Sequence, residues 1–280
     1  MRQAVFVPNF GPFGDAEALV ELAVAAEGAG WDGFFLWDHI NWEEGGTRPI
    51  VDPWVAMTAI AAATTRLRIG PMITPLPRRR PWKLARETVT LDRFSGGRLN
   101  LGVGIGYPPE MEFGAFGEEV EDRARAEMLD EGLEVLDRLW SGERFSFEGK
   151  HYTAREVRFE PAPLQQPRIP IWCAGWWPNR KPFRRAARWD GVVPELVGGG
   201  TPTPADVREI AAYIGEHRSA PGSFDIALDG ETDPGAGELM AEYEAAGVTW
   251  WLERIEPEKV TSCQQALERI LAGPAGGAGS

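Results

Sequence analysis

Residues 66–107 have the sequence RLRIGPMITPLPRRRPWKLARETVTLDRFSGGRLNLGVGIGY, which has the pattern of a strand–helix–strand unit. The apolar runs Ile69–Ile73 and Leu99–Val103 have the length of strands, and Trp82–Phe94 between them has the apolar spacing of a helix. Two strands that are joined by a helix pair in parallel. This stretch therefore predicts a parallel sheet with helices packed against it.

The same alternation continues outward from this unit toward both ends of the chain. The other predicted strands are Ala4–Val7, Gly33–Trp37, Ile169–Ala174, Gly191–Val193, Phe224–Leu228 and Thr249–Leu252. The main helix signals are caps at Asp15, Asp52 and Thr203, a long helix over Arg123–Trp140, a basic helix from Asn179, a helix over Gly237–Ala246 and a last helix from Pro257. Eight strands that alternate with helices predict an α/β fold, the (β/α)8 TIM barrel.

The barrel is predicted to be one domain over residues 1–272. Phe145–Phe159 alternates in polarity and turns at Glu148-Gly149, which predicts a short hairpin between units four and five. Residues 273–280 are rich in glycine and alanine and are predicted to form a disordered tail. In this fold the active site lies at the C-terminal ends of the strands, so the candidate residues are sought there.

The composition limits the possible partners and classes of function. A net charge of −13 over 280 residues disfavours binding to nucleic acid or to an anionic membrane. Cys173 and Cys263 are far apart and lack metal-site spacing, so neither a disulfide framework nor a metal site is expected. The sequence shows no bilayer-length apolar run and no secretory signal, and we expect a cytoplasmic protein.

His39, beside Asp38, follows the second strand and is the histidine predicted at the barrel mouth. An imidazole titrates near neutral pH, so it can give or take one proton during a reaction. The alternative is a histidine that only binds a neighbouring carbonyl and holds the loop. Its position at a strand end favours the functional interpretation.

Two glycine-containing turns are candidates for binding a cofactor. Residues 102–106, GVGIG, are followed by Tyr107 where the dinucleotide-binding fingerprint requires glycine. Gly104 and Gly106 would let a flat ring approach the backbone, although a role in packing alone is equally compatible.

Gly175, Trp176 and Asn179 lead into a helix that begins with Arg180, which is an arrangement suited to a phosphate group. For Arg184 and Arg185, later in this helix, a solvated face or a subunit contact is the favoured interpretation. The arginines at positions 78–80 are further candidates for contact with an anion. The exposed faces of Trp42, Trp176 and Trp177 could sandwich a planar ring.

Several of these segments, taken together, resemble the luciferase-like flavin-dependent oxidoreductases. The resemblance is carried by GFFLWDHINW (33–42), by the whole 66–107 stretch, by LDEGLEVLDRLWSGERFSFEGKHY (129–152) and by QQPRIPIWCAGWWPNRKPFRRAARWDGVVP (165–194). These motifs follow the family's order along the chain. The resemblance implies a luciferase-like TIM barrel that binds FMN or the deazaflavin coenzyme F420 at its mouth, with a slight preference for F420.

The family's site residues transfer to this chain position by position. The resemblance implies that Asp38 and His39 lie near the reactive ring and that a bulge with a non-prolyl cis peptide lies behind it, within Met72–Thr74 (Met72, Ile73 and Thr74). A glutamate in the loop after strand four is best matched by Glu112, with Glu110 as the alternative. The phosphate end of the cofactor should meet Gly175 and the helix behind it.

The resemblance also implies a homodimer through the second and third helices, with Trp54, Met57 and Leu84 as possible contacts that fit core packing equally well. A flavin or F420 reductase is a possible partner that supplies reduced cofactor. Ile105 stands near the place where some deazaflavin-dependent dehydrogenases carry a glutamate, which weakens any transfer of their sugar-phosphate activity.

The hypothesis is therefore hydride transfer with F420, or monooxygenation with FMN, on a small organic substrate. His39 would carry the proton, and Asp38 would set its tautomer or contact the cofactor. A flavin-binding protein without catalysis is the main alternative, and a glycosidase that uses Glu195 and Asp229 is a weaker one. A metal-dependent hydrolase and a Schiff-base aldolase fit poorly, because the strand ends lack the necessary histidines and a lysine.

Overall fold

Eight strand positions form a closed parallel barrel in this computed structural model, which describes residues 1–42, 48–233 and 235–276. In chain order the strand segments are β1 (Arg2–Val7), β2 (Gly33–Leu36), β3 (Arg68–Pro71), β4 (Thr74–Pro75), β5 (Leu101–Gly104), the hairpin strands β6 (Phe145–Glu148) and β7 (Thr153–Val157), β8 (Ile171–Trp177), β9 (Gly191–Leu196), β10 (Asp225–Gly230) and β11 (Trp250–Arg254). The sheet order is β3-β2-β1-β11-β10-β9-β8-β5-β4, and a bridge between Ile69 and Leu99 closes the ring. The predicted TIM barrel is confirmed.

The third barrel strand is interrupted, which corrects the prediction of one continuous strand over Ile69–Ile73. β3 pairs with β2, whereas β4 pairs with β5. The chain leaves one neighbour and joins the other across Met72 and Ile73, and a cis peptide joins these two residues within the predicted bulge. Bulges of this kind redirect side chains at the rims of barrels.

The helices cover the outside of the barrel, and most begin at a side chain that caps them. They are α1 (Ala16–Gly28), α2 (Pro53–Ala63), α3 (Pro81–Phe94), α4 (Pro109–Glu112), α5 (Asp122–Trp140), α6 (Arg180–Ala186), α7 (Pro204–His217), α8 (Gly237–Ala246) and α9 (Cys263–Leu271). Asp15 accepts a hydrogen bond from Ala18 N at 3.0 Å, and Asp52 accepts one from Val55 N at 2.9 Å. Both predicted caps are confirmed, as is the capping box at Thr203.

Two helical features differ from the prediction. The last helix begins at Cys263 rather than at Pro257, because Ser262 is its N-cap and accepts a hydrogen bond from Gln265 N at 3.3 Å. Val260 therefore precedes the helix. The short helix α4 lies in the loop after β5, where the sequence pattern indicated only a loop.

The interior of the barrel is filled by large side chains at the end opposite the mouth. Phe35, Trp172 and Trp250 are fully buried and contact one another with ring centroids 5.6–5.8 Å apart. Their packing closes the barrel below, as expected for this fold. Among the described residues, this packing leaves the C-terminal mouth as the open end of the barrel.

Two peripheral segments complete the described chain. The predicted hairpin is confirmed: β6 and β7 pair antiparallel, and the Glu131 carboxylate on α5 accepts backbone hydrogen bonds from residues 150–152. Ala275 is buried and forms two hydrogen bonds with Gln3, while residues 277–280 of the predicted tail lie outside the described residues. The domain boundary at residue 272 stays a prediction.

Among the described residues, no helix is both long and apolar enough to cross a membrane.

Candidate active site

A cleft of about 1340 Å³ opens at the C-terminal mouth of the barrel. It gathers residues from the ends of separate strands, as the TIM-barrel rule predicts. The predicted site residues that line it are Asp38, His39, Trp42, Met72, Ile73, Gly104, Gly106, Tyr107, Gly175, Trp176, Asn179 and Arg180. Thr74 and Glu112 lie behind its wall, and both are fully buried.

The Asp38 carboxylate is buried in a network of ion pairs. It accepts hydrogen bonds from Thr74 Oγ1 at 2.8 Å, from Arg78 Nη2 at 2.8 Å and from Arg79 Nη2 at 2.8 Å. Burial by itself would raise the pKa of Asp38, but the positive charges of Arg79 and Arg78 and the Thr74 hydrogen bond outweigh it and lower the pKa. Asp38 is therefore ionised and has a structural role.

This network corrects two expectations. Arg78 and Arg79 are occupied by carboxylates and are not free to bind a cofactor phosphate. Asp38 does not set the tautomer of His39 either, because the hydrogen-bond partner of the His39 ring is Glu112, at 3.1 Å from Nδ1 to Oε1.

His39 is held as a neutral imidazole at the wall of the cleft. Its backbone is fixed by Asn9, whose side-chain amide donates to the His39 carbonyl at 2.8 Å and accepts from the His39 N–H at 3.2 Å. Burial and the positive charge of Arg78 together lower the pKa of His39 to about 4, although the negative charge of Asp38 partly opposes both. At neutral pH the ring is therefore uncharged.

Glu112 fixes which ring nitrogen of His39 carries the proton. Its carboxylate also forms an ion pair with Arg78 and accepts a hydrogen bond from Asn41 N at 3.2 Å. An ionised carboxylate only accepts hydrogen bonds, so this network assigns the proton to Nδ1 and leaves Nε2 as the basic atom. Helix α4 ends at Glu112 and positions it, whereas the alternative candidate Glu110 is exposed.

An aromatic wall lies next to His39. Trp42 stacks on Phe10 at 5.0 Å and meets the His39 ring edge-on at 4.7 Å between centroids. Trp37 lies between Phe6 and His39, at 5.7 Å from each. The sequence interpretation placed Trp37 at the end of the second strand but did not select it, although that position alone marks it as a mouth residue.

The indole N–H of Trp37 is buried and has no hydrogen-bond partner within residues 1–42, 48–233 and 235–276. Buried donors are nearly always paired in folded proteins. Trp37 lines the cleft, so an acceptor on a bound ligand could pair this donor.

The glycines of β5 make room for the bulge. A Cβ on Gly104 would lie 2.1 Å from Ile73 Cδ1, and one on Gly102 would lie 2.4 Å from the carbonyl oxygen of Pro71. Of the two roles left open by the sequence, close packing is therefore present at Gly104. Gly106 has a φ of 88°, which favours glycine.

Tyr107 and Trp176 form one rim of the cleft, with ring centroids 5.5 Å apart at 79°. Gly175 and Trp176 were expected in a loop after the fifth strand, but β8 continues to Trp177 because it pairs with β9 as far as Leu196. Trp177 does not line the cleft; it is buried and packs edge-on against Phe183.

The opposite side of the mouth carries two carboxyl groups. Glu195 accepts a hydrogen bond from Trp176 Nε1 at 2.7 Å, and Asp229 pairs with Arg254 at 3.0 Å. Burial and the negative charge of Asp229 raise the pKa of Glu195, and burial raises the pKa of Asp229 despite the Arg254 charge. These two groups face the same cleft as His39.

Arg180 lies at the outer end of the cleft. Its guanidinium stacks on Trp177 at 4.0 Å and on Tyr213 at 4.8 Å, and Asn179 makes no side-chain cap at the start of α6. Across the described residues, no group of three or more histidine, cysteine, aspartate or glutamate side chains could hold a metal ion.

A TIM barrel whose mouth joins a neutral histidine to an aromatic cleft of this size belongs to the class of barrel enzymes that bind a large planar organic ligand. Within that class the chain is a member of the luciferase-like monooxygenase family, whose model matches residues 1–249. It is thus an oxidoreductase of the luciferase-like type.

Individual relatives agree with this assignment. An F420-dependent glucose-6-phosphate dehydrogenase of Rhodococcus erythropolis is 36% identical over an alignment of 286 positions, which covers 95% of this chain and 77% of the relative. An uncharacterised protein of Mycobacterium tuberculosis is 33% identical over an alignment of 264 positions, which covers 85% of this chain and 86% of the relative.

Two solved structures share the fold. An F420-dependent secondary alcohol dehydrogenase in complex with an F420–acetone adduct aligns with a TM-score of 0.76 at 17% identity, over 96% of this chain and 98% of the other. A monooxygenase from Streptomyces bottropensis aligns with a TM-score of 0.75 at 23% identity, over 96% of each chain. At these identities the likeness supports the TIM barrel alone.

Proposed function

We propose that this protein oxidises or reduces a small organic substrate by hydride transfer with coenzyme F420, and that His39 is its acid–base residue. The observation that carries the proposal is the His39 imidazole, neutral and with Nε2 available at the wall of the aromatic cleft. Relatives named as F420-dependent dehydrogenases, at up to 37% identity, support the choice of cofactor.

The cleft fits a deazaflavin or flavin on three grounds. Its volume exceeds that of a typical pocket for a drug-sized ligand, its walls are aromatic, and the Trp37 N–H lacks an acceptor among the described residues. Met72 and Ile73 would support the ring from behind, and Tyr107 and Trp176 would border it. When bound, the cofactor supplies a ring carbon that accepts or donates a hydride.

The chain's own residues would manage the proton. His39 Nε2 takes the hydroxyl proton of an alcohol substrate as the carbonyl forms, and returns it in the reverse direction. Glu112 keeps the ring oriented and stabilises the imidazolium once it forms. Because burial and the charge of Arg78 disfavour that imidazolium, His39 releases the proton readily after each turnover.

Titration of the purified protein with oxidised and reduced F420 and FMN tests this proposal. We expect F420 to bind more tightly than FMN. His39→Ala should retain binding and lose turnover about 10²-fold or more, whereas His217→Ala, a change at a distant histidine, should retain both. Binding of FMN alone would favour monooxygenation, binding without turnover a carrier protein, and binding of neither cofactor would exclude the proposal.

The proposal specifies the substrate only as a small organic molecule. Ile105 lines the cleft where some deazaflavin-dependent dehydrogenases carry a glutamate, so glucose 6-phosphate is not carried over from the relatives. A reductase that supplies reduced cofactor and a cytoplasmic location remain proposals, to be tested by reconstitution and by cell fractionation.

We also propose that the protein is a homodimer through α2 and α3, with contacts that differ from those predicted. Trp54, Met57 and Leu84 are buried in the core and cannot form the contact. Val55 and Trp82, on the same helices, are 68% and 38% exposed. Light scattering should report a dimer for the native chain and a monomer for Val55→Glu; a native monomer would refute the proposal.

A further inference from the structure

The cleft does not end at the barrel mouth but continues as a groove between α5 and α6. Its lining includes Asp122, Arg123, Ala126, Glu127 and Asp130 from α5, and Arg180, Lys181, Pro182, Arg184, Arg185 and Arg188 from α6 and the turn after it. The α5 residues recur every three or four positions and so share one helix face. This extension, here called the α6 groove, is separate from the aromatic walls.

The floor of the α6 groove is electrically balanced. Arg185 is buried and binds Asp130 through two parallel contacts, Nε to Oδ1 at 2.7 Å and Nη2 to Oδ2 at 3.0 Å. On the α5 side, Arg123 pairs with Glu127 at 3.2 Å. The Arg185–Asp130 pair joins α6 to α5, the Arg123–Glu127 pair lies within α5, and neither pair leaves a net charge of its own.

The α6 side of the groove carries unbalanced positive charge. Arg180, Lys181, Arg184 and Arg188 are exposed, and none is paired with a carboxylate in the part of the chain that the structure describes. Arg180 rests on aromatic rings, and Arg184 donates to the Tyr213 hydroxyl at 3.4 Å. This cluster stands out on a chain whose net charge is −13.

The arrangement is unfavourable for the helix itself. Like charges three or four positions apart repel along a helix face. Arg180 and Lys181 also stand in the first turn, where the helix dipole disfavours cations, and that turn contains no acidic residue. A solvated helix face gives no reason for this pattern, whereas an anionic ligand does.

We propose that the α6 groove binds a chain of carboxylates attached to the ligand in the barrel mouth, such as the oligoglutamyl tail of F420. This inference rests on the proposed function and extends it from the ring to the tail. The groove opens directly from the cleft and offers several cations in a row, so it suits an extended polyanion better than a single phosphate.

The proposal is tested by binding titrations with two forms of F420, one with a single glutamate and one with several. FMN, which has a phosphate but no glutamyl tail, serves as the control ligand. The native protein should bind the long-tailed form about tenfold more tightly than the short one, and added salt should reduce this difference. Lys181→Ala/Arg188→Ala should abolish the dependence on tail length while the affinity for the short form stays within about twofold.

The matched control is Arg155→Ala/Arg208→Ala, which makes the same change in charge at two exposed arginines away from the groove. It should keep the native dependence on tail length. An affinity that is independent of tail length in the native protein would overturn the inference while leaving the proposed function intact.

Free triglutamate separates the two proposals further, because it needs no ring. NMR shifts on α6 in the native protein, and their loss in Lys181→Ala/Arg188→Ala, support the groove even if no form of F420 binds. Absence of such shifts, together with no effect of tail length, refutes the groove whatever the fate of the proposed function.

Discussion

Lowering the pH from 7.5 to 5 tests whether the surroundings of His39 keep its ring neutral. An ordinary histidine with a pKa of 6.5 is almost fully protonated at pH 5. With a pKa of about 4, His39 stays about nine-tenths neutral at pH 5. The causes are burial and the positive charge of Arg78, against which the negative charge of Asp38 acts only in part.

The size of the effect follows from these pKa values. A pKa lowered from 6.5 to about 4 corresponds to about 3 kcal/mol. The folded protein binds the proton more weakly than the unfolded chain, so this contribution to stability is complete above pH 6.5 and is lost as the pH falls toward 4. Between pH 7.5 and 5, His39 alone should lower the free energy of unfolding by about 2 kcal/mol.

An NMR titration of the imidazole nitrogens measures this directly, because the chain has only three histidines. His39→Asn assigns the signal and serves as the control, since the asparagine amide can donate to Glu112 but cannot titrate. We expect a midpoint near 4 and a proton on Nδ1 at pH 7. A midpoint at 6 or above, or a proton on Nε2, would refute the role assigned to Arg78 and Glu112. Urea unfolding of the two proteins should then show the difference in pH dependence.

Three further changes test other contacts. Glu112→Gln removes the acceptor-only partner of His39, so kcat should fall about 10- to 100-fold while cofactor binding by fluorescence persists; an unchanged kcat would contradict this. Gly104→Ala should push Ile73 into the cleft, weaken cofactor binding and destabilise the protein by about 1–3 kcal/mol in thermal unfolding; native affinity would contradict it. Trp172→Ala should cost about 3–5 kcal/mol in urea unfolding, and a loss below about 1 kcal/mol would show that the interior is loosely packed.

Local signals in the sequence were sufficient for most of the fold. Asp15 and Asp52 cap their helices through contacts with residues three positions away, so the pattern that predicts them is contained in a few letters. The start of the last helix was wrong because Pro257 and Ser262 both signal a beginning, and only the packing of the segment decides between them. The break in the third strand was expected from the family resemblance and not from its apolar run.

The candidate site was predictable in position but not in its internal contacts. Strand ends placed His39, Trp42 and Gly104 at the mouth, because the fold brings all strand ends together. The pairing of Glu112 with His39 joins residues 73 positions apart, and no spacing rule encodes it. The same holds for Arg78, which appeared to be a ligand for an anion of the cofactor and instead binds two carboxylates of its own chain.

The Asp38–His39 pair shows why neighbours in sequence can have separate partners. Successive side chains of an extended segment point to opposite sides, so Trp37 and His39 share the wall of the cleft while the Asp38 carboxylate turns away toward Arg79. Arg78 connects the two sides, because it binds both Asp38 and Glu112 and its charge lowers the pKa of His39. The two acidic residues therefore act on His39 by different routes. Glu112 binds the ring nitrogen, whereas the charge of Asp38 partly opposes the lowering of the His39 pKa and also holds Arg78 in place.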